Sequence, residues 1–222
     1  MNLNPFKKNK PVRKQPARRQ YSAAKIDRLT SSWTTTQQSI NKDLEAGGKL
    51  LRTRARDLTI NNDYARKYMQ MVVSNVVGSK GINLQVKSKT SKGKLNVKAN
   101  RQVEQGWKEW MMARNCAWDG RLNFVEMQRL FIESAARDGE VLVRLISDDS
   151  KFGFKMQFLD INRLDENLNK DLGNGALIRM GIEFDVTGRP VAYHIAKTLD
   201  TVLTMGVLFE RVPASNIIHA FI

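Results

Sequence analysis

Phe124, Met127, Leu130, Phe131 and Ala135 recur at helical spacing, and directly after Gly139 the apolar period falls to two. That switch divides the chain into a part that must pack helices and a part that must pair strands. Asn123 can accept from the amide three residues on while Glu126 reaches back, a variant of the capping box, and Gly139 supplies the left-handed residue that stops the helix. Upstream, Gly47 to Leu58 predicts a short basic amphipathic helix with Leu51, Ala55 and Leu58 at helical spacing among arginines. Asn62 caps a second helix with an apolar stripe of Ala65, Tyr68, Met69, Val72 and Val76, ended by Gly78. Ile82, Leu84 and Val86 alternate with polar residues and predict a half-buried strand near residues 82–88, followed by a polar Lys/Ser/Gly loop. A third helix carries Ala99, Val103, Trp107, Trp110 and Arg114 on or near one face, with Met111 widening it.

Beyond Gly139, Val141 to Ile146 and Phe154 to Leu159 read as a hairpin across a Ser-Asp-Asp-Ser turn. Leu177 to Phe184 and Pro190 to Ala196 read as a second hairpin around Asp185-Val-Thr-Gly188-Arg. Val202 to Val212 carries one or two further strands, Pro213 breaks the run, and the residues after the Ala214-Ser215-Asn216 turn alternate as a last strand. There is no βαβ alternation and no internal repeat, so the expected fold class is α+β, a helical N-terminal half followed by antiparallel β-hairpins. The expected organisation is a basic arm over 1–40, a helical region over 41–138 and a β-rich region over 139–222. A chain ending in a core-like strand expects either a slot in a sheet or further polypeptide to cover its free edge.

Charge narrows the partners. The formal net charge is +15, and residues 1–60 hold 14 lysines and arginines against 4 acids, so the excess sits mainly at the N-terminus. Lys7, Lys8, Lys10, Arg13, Lys14, Arg18 and Arg19 occur with three prolines and no acid in the first 20 residues, the composition of an unfolded arm suited to a polyanion. Lys87, Lys89, Lys92 and Lys94 form a second basic group that can hold phosphates by non-specific attraction, or simply solvate a loop. No stretch approaches the roughly 18 apolar residues of a membrane span, and an apolar signal run is missing at the N-terminus; a soluble, cytosolic product is expected, with no membrane partner.

Catalytic chemistry finds little support. Gly78-Ser-Lys-Gly81 lies between a helix and a strand, the reverse of the context a phosphate-binding loop requires. The single Cys116 and the two histidines, His194 and His219, are too few for a dedicated zinc site, and no cofactor is expected. Cys116 beside Trp118 reads as packing, and Trp107 and Trp110, one turn apart, read as core. Asp138/Glu140, Asp148/Asp149 and Asp160/Asp165/Glu166 are close carboxylates of the kind hydrolases bring together in a cleft, yet each also suits a helix end, a turn or a loop. The readings from residues alone are therefore a structural subunit, a basic-armed nucleic-acid-binding module without catalytic activity, or an enzyme using these carboxylates.

Six ordered segments resemble the portal proteins of lambda-like tailed phages: Arg54 to Arg66, Val73 to Gly78 with Gly81-Ile82, Asp119 to Phe124, Arg137 to Arg144, Gly181 to His194, and Arg211 to His219. The resemblance covers roughly residues 50–222. It implies a structural, non-enzymatic subunit of the head-tail connector vertex, through which DNA is packaged and ejected. Members of the family are longer, so the chain corresponds to the wing region, with the channel-lining helices absent. The implied partners are further copies in a ring of about twelve, the major capsid and scaffold proteins, the terminase large subunit, head-completion proteins and, non-specifically, DNA. The implied location is the virion vertex, with host cytoplasm during assembly. A ring also makes Trp107 and Trp110 candidates for an intersubunit contact.

Overall fold

The computed structural model describes residues 28–29, 31–33, 37, 39–197 and 208–221. By contacts the chain divides into Met1–Ser39 and Ile40–Ile222. In the first unit the Ser31 hydroxyl donates to the Arg28 carbonyl at 3.2 Å. The basic group from Lys7 to Arg19 lies outside the described residues, as does the expected strand structure over 202–207.

The second unit is α+β. Among the described residues, five α-helices come first: α1 Ile40–Asn61, α2 Asp63–Val76, α3 Val97–Trp110, the single turn α4 Ala113–Cys116, and α5 Phe124–Asp138. The strands among the described residues are β1 Glu140–Ser147, β2 Phe154–Leu159, β3 Lys170–Gly173, β4 Ala176–Arg179, β5 Ile182–Phe184, β6 Pro190–Ala196, β7 Phe209–Pro213 and β8 Ile217–Phe221. They form an antiparallel sheet in the order β2-β1-β8 and a second in the order β3-β4-β5-β6-β7.

α5 is built as its sequence dictates. Asn123 accepts from the Glu126 amide at 3.0 Å while Glu126 accepts from the Asn123 amide at 2.8 Å, and Gly139 closes the helix at φ +82°. Both orphan donors at the helix start are thereby satisfied. Asn123→Ala is expected to cost about 1 kcal/mol of unfolding free energy, seen as a lower urea midpoint, with Asn123→Ser retaining most of it.

β1 is buried on both faces. Val141 and Val143 pack with Ala135 and Phe131 of α5, whereas Leu142, fully enclosed, packs with Leu159, Ile161, Leu164, Tyr193, Ile195 and Val212. The strand thus joins the helical layer to the second sheet, which is why it reads as a nearly continuous apolar run. A separate aromatic core holds Trp107 and Trp110 against Phe124, with ring centroids 5.0 to 5.1 Å apart, beside the enclosed Cys116 and Met127. Trp110 is therefore spent inside its own chain, whereas Trp107 is only partly buried.

Several expectations are corrected. The helix predicted over 47–58 runs from Ile40 to Asn61, with Gly47 and Gly48 inside it. The strand predicted near 82–88 is not formed: the segment belongs to no sheet. Side chains take three of its amides instead: Gln128 accepts from Ile82 at 2.8 Å, Glu104 from Val86 at 3.0 Å and Asn100 from Ser88 at 3.0 Å. Those three donors are thereby withdrawn from any ladder with a neighbouring strand. Arg114 lies in α4 and not on the face of α3. The run 177–184 is broken by Met180 and Gly181, both at positive φ, into β4 and β5. β3, exposed throughout and without an alternating pattern, escapes sequence reasoning. Pro213 ends inside β7 opposite Ala192, acceptable because β7 is an edge strand.

Candidate functional site

The residues that organise the surface are two arginines of α1, one turn apart. Arg52 Nη1 donates to Glu140 at 2.8 Å and its Nη2 to Glu166. Arg56 grips Asp138 through Nε and Nη2, both at 2.8 Å, and reaches Asp160 at 3.1 and 3.2 Å. Arg137 takes the same Asp138 carboxylate at 3.0 and 2.9 Å, and His219 Nε2 of β8 donates to Glu140 at 3.0 Å. Lys49 donating to Asn167 and Asn169 donating to Glu45 extend the seam along α1. The network ties α1 to the end of α5, the start of β1, β8 and the loop before β3.

Four of the carboxylates singled out from sequence, Asp138, Glu140, Asp160 and Glu166, converge here, which corrects the reading of each as an isolated turn, loop or helix-end residue. They meet guanidinium groups, not an open cleft. The Asp138 side chain is only 4% exposed. Burial alone would raise its pKa, but the paired guanidiniums of Arg56 and Arg137 win and hold it at about 2, below the usual 3.8. The same contact with Asp138 pushes Arg56 further up. A carboxylate so committed has neither the free lone pairs of a metal ligand nor the near-neutral pKa of a general base. Among the described residues no group of three or more His, Cys, Asp and Glu side chains is placed to hold a metal ion.

The remaining candidates do not gather into a reactive site. Asp148 accepts from the Ser150 amide and hydroxyl at 3.2 and 2.5 Å and pairs with Lys155 at 3.3 Å. His194 lies 3.8 Å from Glu183, whose carboxylate is held by Arg211 at 2.8 and 2.9 Å. Cys116 is buried, its thiol pushed up in pKa by that burial, and it donates to the Met111 and Leu122 carbonyls. Lys87, Lys89, Lys92 and Lys94 are exposed on a small reversal in which the Thr90 amide donates to the Lys94 carbonyl at 2.7 Å. A groove of about 730 Å³ between α2 and α5 is edged by Arg66, Arg129 and Arg137. These arginines serve the chain itself: Arg129 donates to the carbonyls of Gly78 and Ser79 at 3.0 and 2.9 Å, and Arg66 to that of Ile60, sealing the ends of α2 and α1.

Sequence reasoning missed Arg52 and Arg56 because it placed the leucines of α1 inward. The structure inverts the helix: Gly48 and Arg52 are its buried residues, while Leu51 and Leu58 stand 62% and 52% exposed. The available signal was the i, i+4 arginine pair on the side opposite the leucines.

The described body is thus an α+β unit in which arginine–carboxylate pairs hold helix to sheet and the leucines of α1 point outward. The family of phage portal proteins of the lambda type matches residues 27–222. The chain is 35% identical over 192 residues to a protein named probable portal protein from Halomonas phage phiHAP-1, covering 85% of this chain and 37% of that one. It is 25% identical over 175 residues to portal protein B of Escherichia phage lambda, covering 75% of this chain and 32% of that one. The chain belongs to the lambda family of phage portal proteins. It spans about a third of the length of these curated relatives. Among the described residues no helix is long and apolar enough to cross a membrane.

Proposed function

We propose that this chain supplies the wing-like part of a portal subunit: a non-catalytic building block of the ring at one capsid vertex, through which phage DNA enters and leaves. The observation that carries the reading is the family match across residues 27–222, most of the chain. The arginine clamp supports it physically, because a ring subunit that transmits load between neighbours gains from helices locked to sheets by multivalent charge contacts. Its partners are further copies of itself in a ring of about twelve, the major capsid and scaffold proteins, the terminase large subunit and head-completion proteins. It works at the virion vertex after assembly in host cytoplasm. DNA contact is non-specific and falls to the N-terminal basic group and to Lys87, Lys89, Lys92 and Lys94.

The test is location and count. Heads assembled with an epitope-tagged chain are expected to bind antibody-gold at a single vertex. Label scattered over all vertices, or absent from heads, overturns the reading.

A further inference from the structure

α3 turns a face of one sign to solvent. Lys98, Arg101, Gln105 and Lys108 are all exposed and, at about 100° per residue, fall within an arc of about 80° that rises about 15 Å along the helix. Among the described residues the side chains of Lys98, Arg101 and Lys108 make no hydrogen bond or ion pair. Both acids of α3 are occupied: Glu104 accepts from the Val86 amide at 3.0 Å, and Glu109 takes Lys151 at 2.7 Å. From Tyr64 to Val103 the sequence contains no acid. A surface serving only solubility intersperses both signs, whereas a ridge of one sign concentrates potential.

The lysine reversal before α3 is fixed to the same helix. Asn100, 8% exposed in the first turn of α3, accepts from the Ser88 amide at 3.0 Å and from the Ser88 hydroxyl, and it donates to the Ser88 carbonyl at 3.3 Å. The Asn96 amide donates to that carbonyl at 2.9 Å. Lys87, Lys89, Lys92 and Lys94, all exposed, are thereby carried on a turn tied to α3, and helix and reversal present their cations as one built surface.

The composition of this face narrows the polyanion. A helix that lies on a membrane inserts its apolar side, but the apolar side of α3, Trp107 and Trp110, is packed on Phe124. Single-stranded nucleic acid wants aromatic platforms for its bases, and none of the exposed residues of α3 is aromatic. Lysine, arginine and glutamine suit phosphate oxygens, contacts that position a duplex and carry no sequence information. We propose that α3 and the reversal it holds form a docking ridge for the phosphate backbone of duplex DNA, with Lys98, Arg101 and Lys108 as its central contacts. This rests on the reading above for the choice of DNA over duplex RNA, and adds to it a structured surface distinct in sequence from the N-terminal basic group.

The experiment uses the full 222-residue chain. The triple variant Lys98→Gln, Arg101→Gln, Lys108→Gln is expected to bind a short mixed-sequence DNA duplex at least about tenfold more weakly than the parent at about 0.1 M salt, with the slope of log affinity against log salt reduced by about 2–3. A control that removes the same charge elsewhere at exposed positions, Lys42→Gln, Lys170→Gln, Arg179→Gln, is expected to lose less than about threefold. An iron chelate tethered at Gln105→Cys is expected to cut the bound duplex without sequence preference, Cys116 being enclosed and unlabelled, and the same chelate at Lys170→Cys is expected to leave it intact. Equal losses in the two triple variants, or equal cutting from both positions, show attraction by net charge alone and overturn the ridge. A chain that binds no duplex at low salt overturns it too, and tighter capture of duplex RNA, an acidic peptide or anionic vesicles overturns DNA as the partner. Single-vertex labelling of heads decides the portal reading independently of all these outcomes.

Discussion

Asp138→Asn is expected to lower the unfolding free energy by about 3–5 kcal/mol, read as a fall in the urea midpoint at unchanged slope. Asp138 accepts four charge-assisted hydrogen bonds, two from Arg56 and two from Arg137. Asparagine keeps one acceptor, turns a donor toward a guanidinium and leaves two positive charges facing each other across a buried site. The effect has a pH signature whose sign is fixed. The folded pKa of Asp138, about 2, lies below its ordinary 3.8, so its contribution is complete above roughly pH 4 and disappears as pH falls through 2. It amounts to about 2 kcal/mol. The stability gap between parent and variant should accordingly narrow on acidification. A loss under about 1 kcal/mol at neutral pH, or a gap that ignores pH, would show the clamp to be a solvent-screened surface feature.

Gly181→Ala is expected to cost about 4 kcal/mol, from two separate terms. The residue sits at φ +76°, where a side chain costs about 1–3 kcal/mol. A Cβ there would also stand 2.7 Å from the Asp165 carbonyl oxygen and 3.1 Å from the Asp165 amide nitrogen. Those are backbone atoms that cannot rotate away, and the Gly181 amide and carbonyl are both bonded, to Leu168 at 3.1 Å and from His194 at 2.8 Å. Relief would require moving β5 relative to the loop that carries Glu166 to Arg52, which adds an overpacking cost of similar size. Gly188→Ala is the control: φ is +78° but nothing lies within 4 Å of its Cβ. It should show the backbone penalty alone, and equal losses at the two glycines would refute the close-approach explanation.

The two substitutions probe the features that differ most in how visible they were. The left-handed glycines at helix and hairpin ends, the Asn123/Glu126 box, the β1–β2 hairpin and the strand at Ile217 were all legible because each depends on residues adjacent in the chain. Gly181 was hidden inside an apparently continuous apolar run from Leu177 to Phe184, since nothing local announces that Asp165 will pass so near. Residues 82–88 had the alternation of a strand but lost their ladder to Gln128, Glu104 and Asn100. The carboxylates were noticed individually, and the two arginines that gather them, Arg52 and Arg56, were not.

By itself the sequence determined the α+β order, the capped start and glycine stop of α5, and the β1–β2 hairpin, because those follow from periodicity and capping within a few residues. Only the tertiary structure decided which face of α1 points inward. The choice rests on arginine–carboxylate pairs between residues 82 to 114 positions apart, and a helix carrying leucines on one side and arginines on another satisfies its own hydrogen bonds equally well in either orientation.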